Sequence, residues 1–128
     1  MKLLLDTHAF LWFALDDRRL SSAAADLMRE SSNELLLSVA SCWEMAIKAS
    51  IGKYEIPDNF ESFLKDQIEI NQLALQPISI SHLATVMSLP FHHRDPFDRL
   101  LAAQSLVERV PLVSIDSAFN PYSVQRLW

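Results

Sequence analysis

Residues 2–15 read KLLLDTHAFLWFAL, and the break at Asp6 decides how the chain folds. Lys2 to Leu5 is a short apolar run of the kind found in strands covered on both faces. It stops abruptly at a carboxylate. Thr7 to Leu15 then carries Phe10, Leu11, Trp12 and Phe13 and reads as a helix. The same pattern returns near the end of the chain, where Pro111 to Ile115 is an apolar strand closed by Asp116. Two strands, each with an acid at its C-terminal tip, frame everything between them.

Working outward, Asp16 to Arg19 is a polar turn, and Ser21 or Ser22 caps a second helix running through Arg29. Glu34 to Val39, with Leu35, Leu36 and Leu37 in succession, is a second buried strand. Ser41 opens a helix through Ile51, and Gly52 stands where a helix commonly ends in a left-handed residue. Pro57 and Asp58 start an amphipathic helix with Phe60, Phe63, Leu64 and Ile68 on one face. Leu73 to Ile80 holds a short strand, and Ser81 caps a helix to about Leu89. The segment PFHHRDP, 90–96, is bounded by prolines and irregular. Phe97 to Arg109 resumes as a helix, and Tyr122 to Trp128 alternates weakly as an edge strand. Strands alternating with helices predict an α/β fold, a mainly parallel sheet with helices on both faces, in a single domain over residues 1–128. Sites in such folds lie outside the carboxyl ends of the strands, where Asp6 and Asp116 stand.

Composition excludes several chemistries. The chain has one glycine, Gly52, whereas a Walker loop, a dinucleotide fingerprint and a nucleophile elbow each need two or more. One cysteine, Cys42, excludes an internal disulfide, a Cys-rich zinc site and a dithiol motif, and fits a reducing cytoplasm. Asp6 and His8 interrupt the apolar start, and the run Ala9 to Leu15 falls far short of the ~20 residues of a membrane span, so a soluble, non-exported protein is expected. Sixteen acidic against eleven basic side chains give a formal charge of −5. That balance opposes a nonspecific grip on nucleic acid unless cations neutralise some of the carboxylates.

Glu44 lies near the start of the helix after the second strand, and Asp98 opens the helix after PFHHRDP. With Asp6 and Asp116, four acids from separated segments approach one edge of the sheet. Crowded carboxylates raise one another's pKa, and a hard divalent cation, Mg²⁺ or Mn²⁺, resolves the conflict. Each acid also has a structural reading. Asp6 and Asp116 could cap the helices that follow, Glu44 could pair with Lys48 four residues on, and Asp98 could answer a helix dipole. Among the neighbours, His92 and His93 read as a hydrogen-bonded polar loop in preference to a substrate contact or proton shuttle. Asp95 reads as the cap of the helix that Pro96 begins, with an outer carboxylate as the alternative. Lys48, Lys53, Arg94 and Arg99 are the basic groups nearest in sequence and could contact substrate phosphates; Arg99 could equally hold a carboxylate. His8 and His82 read as ordinary helix residues. Trp12, Phe13, Trp43 and the Phe60/Phe63 pair read as core or interface, and Cys42 as a small hydrophobe.

LLLDTHAFLW, SVASCWEMAIKASIGK, LPFHHRDPFDRLLAAQS and LVSIDSAFNPYSVQRLW resemble, in order and over essentially the whole chain, a PIN domain, and within it the VapC-type toxins of bacterial toxin–antitoxin pairs. The resemblance implies an α/β/α sandwich and a Mg²⁺- or Mn²⁺-dependent endoribonuclease. Asp6, Glu44, Asp98 and Asp116 would be the catalytic and metal-binding acids, with in-line attack leaving a 5′-phosphate and a 3′-hydroxyl. Thr7 matches the hydroxyl residue that accompanies the first acid, and Ser114 stands near the last. It also implies a homodimer and a VapB-like antitoxin whose C-terminal segment lies in the groove leading to the acids. Rival classes are a noncatalytic PIN module that sequesters a partner, a phospho-accepting receiver and an aspartyl phosphatase. The receiver lacks a second acid beside Asp6 and any lysine after Lys65, and the phosphatase would need an Asp where His8 stands.

Overall fold

The structure is a computed structural model that describes residues 1–57 and 59–128. Its order is β1 (Lys2–Leu5), α1 (Thr7–Ala14), α2 (Ser22–Arg29), β2 (Glu34–Ser38), α3 (Val39–Ser50), α4 (Phe60–Ile70), β3 (Ala74–Gln76), α5 (Ile80–Ser88), α6 (Pro96–Glu108) and β4 (Leu112–Val113). A 3₁₀ segment (Ser117–Tyr122) and β5 (Arg126–Leu127) complete the order. The strands form one sheet in the order β3-β2-β1-β4-β5, and every pairing is parallel.

Side-chain parity divides the core in two, because successive residues of a strand point to opposite faces. Leu3 and Leu5 of β1 share one face with Leu35, Leu37 and Val113, and pack against Phe10, Met28, Met45 and Phe63 of α1 to α4. Leu4 faces the other way with Leu36 and Leu112, against Leu101 and Ala102 of α6 and Phe119 and Tyr122 of the 3₁₀ segment. Both faces of the central strands are therefore covered, which is why β1 and β2 read as unbroken leucine runs. The expected α/β fold with helices on both faces is what the chain forms.

The main departures are at element ends, where side-chain caps decide. Ser38, not Ser41, caps α3 through a bond from the Ala40 N–H, so β2 stops at Ser38 and Val39 is already helical. Ser79, not Ser81, caps α5, and the His82 ring returns a bond to the Ser79 N–H, closing a reciprocal capping box. Of the pair expected to open the fourth helix, Asp58 lies outside the described residues; α4 begins at Phe60, and Asn59 accepts from the Ser62 N–H. The strand expected over 73–80 is three residues long. Tyr122 closes a 3₁₀ turn, leaving Arg126 and Leu127 as the edge strand. Gly52 adopts φ +77°, the left-handed conformation expected of it. Among the described residues no helix is long and apolar enough to cross a membrane.

The strand order has one reversal. From β1 the chain steps outward through β2 to β3, then returns to the other side of β1 for β4. The point of reversal lies between the carboxyl ends of β1 and β4, the place where open parallel sheets build their ligand sites. Leu5, wholly buried and paired with both Leu37 and Val113, anchors that point. Leu5→Ala is expected to cost about 3 kcal/mol, read as a lower urea midpoint with an unchanged denaturant slope.

Candidate active site

Asp6 follows β1 directly, and its backbone N–H donates to the Val113 carbonyl at 3.0 Å, so the first acid is tied to the neighbouring strand. Its side chain is buried, and Oδ2 accepts from Ser114 Oγ at 2.6 Å. Ser114 therefore spans the gap between β1 and β4. The Asp6 side chain makes no capping bond to α1, which removes the capping alternative for it. Burial raises its pKa, with the charge of Glu44 adding to the rise and Ser114, His8 and the Thr7 backbone opposing it.

Glu44 sits one turn into α3, later than the helix start expected at Ser41 would place it, and is 3% exposed. Thr7 Oγ1 donates to its Oε1 at 2.6 Å; Lys48 Nζ and, at 3.3 Å, the Tyr54 hydroxyl donate to Oε2. The expected Glu44–Lys48 pair exists, but it is partly buried and not a solvated surface pair. Lys48 also reaches Asp95 Oδ2 at 3.5 Å and lies over the Tyr54 ring. Burial works to lower the Lys48 pKa, yet the bond and charge of Glu44, with Tyr54 and Asp95, raise it overall. This ammonium is a counter-charge within the acid cluster and not a free contact for phosphate.

Asp98 lies in the first turn of α6, behind the Asp95 cap, whose Oδ1 accepts from the Phe97 and Asp98 N–H groups at 2.8 and 3.3 Å. The Asp98 carboxyl has no hydrogen-bond partner among the described residues. Burial, and then the charges of Asp6, Asp95, Glu44 and Asp116, push its pKa up to about 8. Geometry also draws the acids together: Ser114 Oγ joins Asp6 to the Asp116 backbone, Thr7, the residue after Asp6, bonds to Glu44, and donor atoms of Asp98 and Asp116 lie within 4.8 Å of each other. Asp116 follows β4. Its Oδ1 accepts from the Ala118 N–H at 2.9 Å, capping the 3₁₀ segment as the structural reading expected, while Oδ2 meets His93 Nε2 at 2.7 Å. Burial raises its pKa, but the His93 bond, the Ala118 N–H and the charges of His93 and Arg126 outweigh it and lower the net value.

One donor atom each from His93, Asp98 and Asp116 lie within 4.8 Å of one another, a possible metal site. The carboxylates facing it offer oxygen donors, and the Asp98 carboxyl has no donor of its own among the described residues. Such a set fits a hard divalent cation.

A family model, the PIN domain, matches residues 3–124. The chain belongs to the PIN domain family. It is 30% identical over 115 residues to Ribonuclease VapC22 of Mycobacterium tuberculosis, covering 88% of this chain and 85% of that protein. It is 32% identical over 85 residues to Ribonuclease VapC16 of the same organism, covering 62% and 59%. In solved structures its fold is similar, with a TM-score of 0.72 and 14% identity over 99% and 98% of the two chains, to VapBC2 from Rickettsia felis bound to a DNA fragment from their promoter. These relatives place the chain with the VapC-type members.

Elsewhere in this PIN domain, the basic residues separate. Arg99 is 6% exposed and donates to the carbonyls of Val86, Leu89 and Pro90, with Phe91 stacked 4.1 Å from it. It fastens the end of α5, is almost wholly buried and meets no carboxylate among the described residues, which corrects its reading as a phosphate or carboxylate contact. Arg94 is exposed and makes no side-chain bond among the described residues, so it remains available; so does Lys53. Trp43 is 60% exposed, edge-on to Phe97, and is not core. Phe63 is core, and Cys42 is half-buried with its thiol pushed up to about 11 by burial. His82 is structural as expected. His93 is different: at 9% exposure it turns inward while His92 faces out, and the loop reading missed its contact with Asp116. No periodicity in 90–96 marks which histidine points in. Tyr54, too, escaped the sequence reading.

A carboxyl whose folded pKa exceeds its unfolded value loses stability as pH rises from about 4 towards 8, because only the unfolded chain ionises freely over that window. Metal-free protein should therefore melt at lower temperature at pH 8 than at pH 5. Asp98→Asn should stabilise it by roughly 2 kcal/mol at pH 8, after allowance for solvent screening, and flatten the pH dependence. Scanning calorimetry of both proteins at the two pH values checks this.

Proposed function

We propose that this chain is a metal-dependent endoribonuclease of the VapC type, the toxin of a toxin–antitoxin pair, acting in the cytoplasm as a homodimer. The observation that carries the reading is the meeting of Asp6, Glu44, Asp98 and Asp116 at the reversal of strand order, in a chain 30% identical over most of its length to a VapC ribonuclease. A Mg²⁺ or Mn²⁺ ion held by these four acids would supply a water acidic enough to ionise near neutral pH and would offset charge on the phosphoryl oxygens. The protein's own groups prepare that site. Ser114 and Thr7 fix one oxygen each of Asp6 and Glu44, so both acids are aimed before substrate arrives. Asp98, bound by no donor among the described residues, is the acid best placed to hold water and accept its proton in in-line attack. Arg94, exposed on the loop beside α6, meets the RNA backbone. A VapB-like antitoxin is the proposed partner; the solved structure similar in fold is that of a VapBC pair.

Antitoxin-free protein incubated with mixed RNA should cleave it with Mg²⁺ or Mn²⁺ and not with EDTA, leaving 5′-phosphate ends. Asp6→Asn and Asp98→Asn should each lower the rate by roughly 100-fold or more. Folded protein that binds metal yet leaves every RNA intact would move the reading to a PIN module that sequesters a partner without cutting RNA.

A further inference from the structure

His93 lies outside the set of four acids, yet its ring joins one of them, Asp116, to the buried hydroxyl of Tyr122. Its backbone N–H donates to the Tyr122 hydroxyl oxygen at 2.9 Å, and its Nδ1 lies 3.1 Å from the same oxygen. The two rings are stacked, 7° from parallel. The Tyr122 oxygen, buried, accepts the backbone hydrogen, and its own O–H needs an acceptor in return. Nδ1 is the acceptor within reach, and it can accept only if it carries no hydrogen. The ring proton then sits on Nε2, aimed at Asp116 Oδ2, 2.7 Å away. On the far side of Asp116, the backbone N–H donates to Ser114 Oγ at 3.0 Å, and that hydroxyl donates to Asp6. A continuous line of hydrogen bonds runs from Tyr122 through His93, Asp116 and Ser114 to Asp6.

We propose that His93 is a positioning residue, locked by Tyr122 as the Nε2–H tautomer so that it holds Asp116 by donation and does not itself bind the metal. The inference rests on the metal-site reading above. It divides the cluster of His93, Asp98 and Asp116 into two roles: the carboxylates face the ion, and the imidazole supports one of them from behind. Outer partners of this kind fix the direction in which a ligand presents its lone pairs. The tautomer is what assigns the role, since an Nε2 without its hydrogen would turn a lone pair on Asp116 and repel it.

Three variants of the full chain test this: His93→Leu removes the donor, His93→Gln keeps an N–H at a similar reach, and Tyr122→Phe releases the tautomer without touching Asp116. Mn²⁺ affinity by calorimetry, melting temperature, and the imidazole ¹⁵N spectrum without metal and with saturating Mg²⁺ are measured at one fixed pH. Expected are the Nε2–H form in the native chain both with and without Mg²⁺, Mn²⁺ affinity lowered roughly 10- to 100-fold in His93→Leu, partial loss in Tyr122→Phe, and recovery in His93→Gln. An Nδ1–H tautomer, or an Nε2 that gives up its hydrogen to coordinate Mg²⁺, overturns the assignment. So does native Mn²⁺ affinity in folded His93→Leu or Tyr122→Phe whose melting temperature alone has fallen, since the histidine is then only a loop fastening. Should the native chain bind no Mn²⁺, the metal reading fails and takes this inference with it, an outcome distinct from normal binding in the variants.

Discussion

Four carboxyl groups share one end of a buried sheet, and their mutual repulsion is the cost against which the nearby polar side chains are arranged. Glu44, nearly sealed from solvent, takes three donors: Thr7 from α1, Lys48 from its own helix and Tyr54 from the turn after it. Asp6 takes Ser114 from the neighbouring strand end, and Asp116 takes His93 and a backbone N–H. Asp98 takes none among the described residues, and burial and the neighbouring charges push its pKa up. A cation placed among these acids gains most where the protein has supplied least.

The sheet that imposes this crowding also makes it affordable. Parallel strands point all their carboxyl ends the same way, so the acids that follow β1 and β4 are carried to one end of the sheet once those strands are neighbours. Helices α3 and α6 start from that same end and bring Glu44 and Asp98 with them. The loop ahead of α6 is held at both ends, by Arg99 on the carbonyls of 86, 89 and 90 and by Tyr122 on the His93 backbone, so its inward histidine has a fixed place.

Much of this was legible in the sequence because it follows from local pattern. The apolar run that stops at Asp6 marks a strand end, and β1 and α1 lie where the pattern places them; β4, expected over 111–115, closes already at Val113, so Asp116 stands three residues beyond its end. What could not be read depends on atoms brought from elsewhere. Ser38 and Ser41, or Ser79 and Ser81, are equally good caps by type, and only the path of the preceding strand or loop chooses between them. Arg99 stands next to Asp98 in sequence, but one step along a helix turns a side chain by about 100°, and it points to α5 instead of the acids. The Glu44–Lys48 pair follows from their spacing on the helix, but its depth, and so the hold on the ammonium, depends on the burial that α1 and Tyr54 create. His93 and Tyr122 are far apart in sequence, and no spacing rule connects them.

The alternation of Leu3, Leu4 and Leu5 between two cores has a meaning beyond packing. It works as a ruler. Sliding β1 by one residue against β2 and β4 would turn Leu4 into the wrong core and carry Asp6 about 3.3 Å along the sheet, farther than its bond to Ser114 can stretch. The hydrophobic parity of a four-residue strand therefore sets the address of the first acid, and a single-residue deletion there would misplace the chemistry while leaving every acid in the chain.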